Sequence, residues 1–302
     1  MILAQQQKDT DRLVRAFVEA GLSIAEQGER SWTLRPAGSR LTMTAFLDGD
    51  WLRFQAPLAG GRIHGLALPA CAWELLERAA DLCFAKIATP KNADQAQLAA
   101  EVPLDADLPL ARAIAQIAAA FVGASAAIRG SQRTADPARA NDAADVEATA
   151  VITGADLAQV CSAAQWAFNQ RPDGRLAVPL ESRAGFHEAI VEHTVRGVRA
   201  RLDVPLEGEL TEASRQAIGS VLLVVAGLHR MVRTAVDTVG DPPAAVLEVA
   251  LGDAPTPELV AHALAALSLA CDRCAREVKA LTDDSLAKQY LAARGRSSRP
   301  TR

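Results

Sequence analysis

The chain switches repeatedly between two spacings of apolar residues, and the switches mark its elements. Residues 9–21, DTDRLVRAFVEAG, set Leu13, Val14, Phe17 and Val18 at helical spacing between a capping Asp9 or Thr10 and a stopping Gly21. Strict alternation follows in SWTLR, RLTMTAFL and WLRFQAPL, three predicted strands, and the last two flank LDGD, an Asp-Gly hairpin signal. ACAWELLERAADL, 70–82, returns to helical spacing. FAKIAT and AQLAAEVPL read as a further strand pair turned by PKNAD, and PLARAIAQIAAAFVG, 109–123, is a helix with Pro109 near its first turn. The predicted order is αβββαββα.

Residues 125–150 are rich in Ala, Asp, Arg and Ser with few large apolar groups, the composition of a linker. The pattern then restarts. ADLAQVCSAAQWAF, 155–168, is a predicted helix; RLAVPLE, FHEAIVEHTV and VRARLDVPLE are predicted strands. Residues 212–238 read as one long helix that takes the place of a fourth strand, AAVLEVAL as a strand, and PELVAHALAALSLACDRCAREVKAL as a closing helix. Leu58 and Leu206, each ending a third strand, lie 148 positions apart; Leu104 and Leu251 lie 147 apart, as do Asp9 and Asp156 at the first helices. A common offset across three landmarks implies a duplicated unit. The expected fold class is therefore α+β, with two homologous domains, each αβββαββα-like with helices packed on one face of a twisted antiparallel sheet. Their expected limits are 1–124 and 151–284, separated by the linker 125–150 and followed by a basic, disordered tail, 285–302.

An αβββαββα unit resembles the class I type III secretion chaperones and their YbjN-type relatives, through the element order, the WTL-type first strand and the WLRFQAPL third strand. The resemblance spans roughly 9–124 and 155–282. It implies a protein-binding adaptor or chaperone that holds a segment of a client protein and has no catalytic residues. It also implies that the tandem units form within one chain what two protomers form elsewhere, as a monomer with pseudo-two-fold symmetry, or as a homodimer.

Composition narrows the partners. A net charge of −4 gives no basic footprint for nucleic acid. The most apolar run, AIGSVLLVVAGL at 217–228, has twelve residues, too few to span a bilayer, so no membrane insertion is expected. Cys71, Cys83, Cys161, Cys271 and Cys274 form no disulfide-dense pattern, and MILAQQQKDTDR has no secretory-signal pattern; both favour a cytoplasmic location.

Few residue groups suggest chemistry. CDRC, 271–274, falls on the apolar helical stripe Val260, Leu264, Leu267, Cys271, Cys274, Val278, Leu281, where cysteine serves as a small core residue. His64, His187, His193, His229 and His262 are scattered singly, and HEAIVEH lacks the spacing of a zincin. His187 and His193 share a strand face, either as a metal pair or, as we expect, as a solvated pair. AGGRIHG, 59–65, has no phosphate-loop spacing, and Asp48 and Asp50 are explained by the turn. No catalytic residue, metal ligand or cofactor is assigned, and a non-enzymatic role is expected.

The aromatics are more informative. Alternation sends Leu52, Phe54, Ala56 and Leu58 to the core, and places Trp51, Arg53 and Phe46 on the polar face. Phe46, Trp51 and Arg53 are the candidate partner-binding residues, unless the aromatics only brace the hairpin. The same face of the second copy carries Arg199, Arg201 and Asp203. Two other classes stay open. An enzyme or small-molecule sensor would place its site between the domains, using His64, His187 or His193. A structural subunit would carry broad apolar patches.

Overall fold

A computed structural model describes residues 2–58, 68, 70–80, 82–89, 95–104, 109–129, 154–183 and 185–297. The first half runs α1 (Ile2–Glu19), β1 (Leu22–Gln27), β2 (Ser31–Pro36), β3 (Met43–Asp48), β4 (Trp51–Pro57), α2 (Ala72–Ala79), β5 (Lys86–Ala88), β6 (Gln97–Pro103) and α3 (Leu110–Arg129). The second runs α4 (Gly154–Ala163), β7 (Asn169–Gln170), β8 (Leu176–Ser182), β9 (Gly185–Thr194), β10 (Gly197–Pro205), α5 (Glu212–Leu228), β11 (Arg233–Asp237), β12 (Ala244–Gly252), α6 (Pro257–Ala280) and α7 (Asp284–Ser297). Each half carries a six-stranded antiparallel sheet, in the orders β1-β2-β3-β4-β6-β5 and β7-β8-β9-β10-β12-β11. Strand for strand the two orders are the same. The chain is α+β, with two sheet-and-helix halves of one topology.

The structure corrects the predicted elements in four places. Each half begins with an extra strand, so the unit is αββββαββα. LSIAEQ in β1 buries only Leu22, and β7 is two exposed residues; neither shows alternation, and pairing with β2 and β8 alone makes them strands. The long helix 212–238 ends at Leu228, and Arg233–Asp237 form β11, the counterpart of β5. Leu228, Met231, Val232, Ala235, Val236 and Val239 keep helical spacing through this stretch and conceal the break, which falls at Met231 with φ 63. Residues 125–129, placed in the linker, complete α3, while 130–150 lie outside the described residues. The tail expected to be disordered forms α7 up to Ser297, with Ala287 buried and Tyr290 and Leu291 against the core.

In each half one sheet face is apolar and covered by helices. Trp32, Leu34, Met43, Ala45, Leu52 and Phe54 form the first such face, against Phe17 of α1 and Ile114, Ile117 and Phe121 of α3. The Phe17 ring lies 5.4 Å from Trp32 and 6.4 Å from Phe54, the tilted and edge-on arrangements that aromatic quadrupoles favour. Residues 110–128 of α3 are long and apolar enough to cross a membrane, and this helix uses that character against the core. In the second half Val178, Leu180, Val191, Leu202 and Leu247 face α6, whose buried stripe contains Val260, Leu264, Leu267, Cys271, Cys274 and Val278, as the spacing predicts.

One apolar core runs through both halves. The middle helices α2 and α5 pack on each other, and each also lies against the fifth strand of the opposite half. They meet at matching positions, because a Cβ on Gly219 would stand 2.8 Å from the Trp73 amide nitrogen and 3.0 Å from Ala72, the residue 147 positions before it. Gly227 similarly lets α5 approach the Thr89 carbonyl, and the Thr89 amide donates to the Leu223 carbonyl at 3.1 Å.

Candidate functional site

Two features sit where the halves meet. The first is built on the β3–β4 hairpin. Register pairs Phe46 with Arg53 and Asp48 with Trp51, so all four share the face away from the helices, as alternation predicts. The Arg53 guanidinium carbon lies 5.4 Å from the Phe46 ring centre, while its Nη1 reaches Asp48 at 3.1 Å. Trp51 is not left to solvent. Arg230, just past the end of α5, lies 5.3 Å above its ring and reaches Asp48 at 3.0 Å, and His262 of α6 meets it edge-on at 6.1 Å. The candidate residues Phe46, Trp51 and Arg53 are thus half-buried members of a patch completed by the second half. The turn residue Asp48 holds two arginines, one from each half.

Two buried ion pairs lie at equivalent positions of the two sheets, the first of them beside Arg53. Lys86 meets Glu101 at 2.9 Å, and Arg233 meets Glu248 at 2.5 Å; each cation and each carboxylate is 147 positions from its counterpart. Each cation also crosses to the other half. The Lys86 ammonium donates to the His229 carbonyl at the end of α5 at 2.8 Å, and the Arg233 guanidinium donates to the carbonyls of Ala79 and Ala80 at the end of α2. Helix C-termini carry partial negative charge and unpaired carbonyls, so a cation placed there is doubly favoured. Burial pushes the Lys86 ammonium pKa down, and Glu101 beside it pulls it back up. Reciprocal contacts between equivalent positions are the signature of a two-fold interface, here inside one chain.

The second feature is a cleft between the halves, open to solvent at its mouth. Apolar walls come from Phe84, Val102, Ile117, Met231, Leu251 and Leu259, and charged groups from Lys86, Glu101, Arg233, Arg112 and Asp253. Arg112 of α3 and Asp253 after β12 form an ion pair across it. Phe84 and Met231, again 147 apart, are both non-glycine residues with left-handed backbone, φ 56 and φ 63. The cleft adjoins the patch, since Trp51 pairs with Pro103, which lines it.

The remaining candidates do not gather. His64 and AGGRIHG lie outside the described residues. His187 and His193 share a face, but it is the face turned to the core rather than to solvent, and the Nε2 of each is buried without a partner. Burial, aided by Lys279, pushes the His187 pKa below its usual value. Neither histidine lines the cleft. Cys271 and Cys274 are buried, and burial raises their thiols to about 11 and about 12. On the polar face of the second sheet, Arg199 and Arg201 are tied to Glu192, Glu248, Asp203 and Asp237.

Reading the sequence for single motifs missed Lys86, Glu101, Arg233 and Glu248. The recurring offset contained the signal, because 147 positions set LAAEVPL beside AVLEVAL and AKIA beside VRTA. No family model, curated protein or solved structure matches the chain.

Proposed function

We propose that the protein is a non-enzymatic adaptor or chaperone that holds a segment of a client protein, its two halves acting as a dimer within one chain. One observation carries this reading: an aromatic-and-arginine patch, Phe46, Trp51, Arg53 and Arg230, assembled from both halves on an otherwise polar face. Tryptophan and arginine dominate the energetic centres of protein interfaces, where a large ring supplies area and a guanidinium fixes orientation. The contact runs through this patch, and strand addition, the other mode open to such a fold, is disfavoured at the outer edges β1 and β7. The outer strand β1 carries a bulge between Ile24 and Glu26, and β7 has two residues, features that blunt a sheet edge. Cytoplasmic location and the absence of a nucleic-acid or membrane partner belong to the same proposal.

The test is capture from native lysate with the tagged full-length protein, beside Phe46→Ala and Trp51→Ala variants shown to be folded. A stoichiometric partner that the native protein retains and both variants lose supports the proposal. Identical recoveries from all three would overturn it. The cleft favours a second reading, a sensor for a small molecule held between the halves, as such clefts are a common location for ligand sites.

A further inference from the structure

From the chemistry of its lining, we infer that the cleft between the halves binds an amphipathic monocarboxylate, a hydrocarbon body ending in one carboxylate. The inference rests on the second reading, that the cleft is a ligand site, and adds the ligand's class.

The depth of each charged group follows from its exposure. Lys86, Glu101 and Arg233 have side chains 3%, 2% and 7% exposed and form the floor, while Arg112 and Asp253 are 41% and 40% exposed and stand at the mouth. Lys86 is matched by Glu101, but the carboxylate that matches Arg233 belongs to Glu248, which is not part of the lining. Glu248 neutralises Arg233 from behind all the same, so the floor is balanced and the guanidinium open to an entering anion is Arg112 at the mouth.

The mouth pair supplies the exchange. An exposed arginine–carboxylate pair contributes little, so a ligand carboxylate can replace Asp253 on Arg112 at small cost and take the two-pronged geometry that a guanidinium offers. The body of such a ligand meets Phe84, Ile117, Met231, Leu251 and Leu259. The paired left-handed residues Phe84 and Met231 form part of this wall from opposite halves. Strained backbone kept at both equivalent positions marks the cleft as a place the fold maintains rather than a gap it leaves. A ligand there touches both halves at once, so its binding is coupled to how they are held.

Calorimetric titration of the full chain with decanoate, and with 1-decanol as the neutral counterpart, decides the matter. Saturable one-to-one binding of decanoate is expected, at least tenfold tighter than decanol. Arg112→Gln should weaken it about tenfold, and Asp253→Asn should strengthen it several-fold by removing the competing carboxylate. Ala113→Trp, which fills the cleft, should abolish it. If that variant does not fold, the two substitutions at the exposed pair carry the decision. Equal affinity for decanol, or decanoate affinity unmoved by both Arg112→Gln and Asp253→Asn, overturns the carboxylate assignment while leaving a ligand cleft. No saturable binding of either probe overturns the cleft reading together with the inference.

Discussion

Lys86 and Arg233 occupy the same position in the fifth strands of the two sheets, and each reaches past its own glutamate to the end of the other half's middle helix. The ion pair and the crossing contact depend on each other. A buried cation is tolerated only because Glu101 or Glu248 neutralises it, and helix-end carbonyls at the seam are left without a helical partner that the cation then supplies.

Breaking one member should therefore be costlier than breaking both. Lys86→Met takes the nearest cation from buried Glu101, leaving the Met231 amide at 3.2 Å and Arg53 at 3.9 Å, and should cost about 3 kcal/mol in urea unfolding. The double variant Lys86→Met, Glu101→Gln should recover part of that loss. A single-variant loss below about 1 kcal/mol, the range of surface pairs, would show that the pair does not hold the seam.

The two close-approach glycines of α5 offer a test that leaves charge untouched. Gly227→Ala drives a methyl into the Thr89 carbonyl, and Gly219→Ala drives one into the backbone of α2. Each should lower stability by about 1–3 kcal/mol by overpacking. Gly123→Ala, on the exposed face of α3 with nothing within 4 Å, should instead raise it by about 0.5–1 kcal/mol, the usual gain for alanine in a helix interior. Equal responses at all three would mean that α2 and α5 do not pack closely at the seam.

His229 predicts a pH dependence. Burial first, then Lys86 and Arg273, hold its imidazole pKa below the ordinary 6.5. As pH falls, the unfolded chain takes up the proton before the folded one does. The stability tied to neutral His229 is thus fully present above pH 6.5 and is lost as pH falls from there toward the folded value. The urea midpoint should drop between pH 7.5 and 5.5, and drop less in His229→Gln. His187, shifted the same way by burial, accounts for a residual slope. Parallel curves for native and variant would exclude His229 as a contributor.

Thiol labelling separates the cysteines. Cys71, Cys161, Cys271 and Cys274 are buried, and burial raises every one of their thiols, Cys161 to about 11. Only Cys83 is partly exposed. Iodoacetamide at pH 8 should modify Cys83 alone in the native protein and all five under denaturant, read by peptide mass. Native modification of Cys271 or Cys274 would contradict the buried stripe on α6.

Legible from the residues alone were the α+β class, the repeat of one element order, the buried faces of β4 and α6, and the shared polar face of Phe46, Trp51 and Arg53. These follow from local periodicity, since alternation and helical spacing each sort a segment's own residues to one side. Strands β1 and β7 escaped it because pairing with a neighbour makes them strands. β11 escaped it because Leu228, Met231, Val232, Ala235 and Val236 keep helical spacing across the break. Packing of the two halves, not local pattern, brought Trp51 to Arg230 and His262, set Lys86 and Arg233 on each other's helix ends, and opened a cleft between the halves. Those contacts join residues more than a hundred positions apart, and a local pattern records which face a side chain takes but not what will be brought against it.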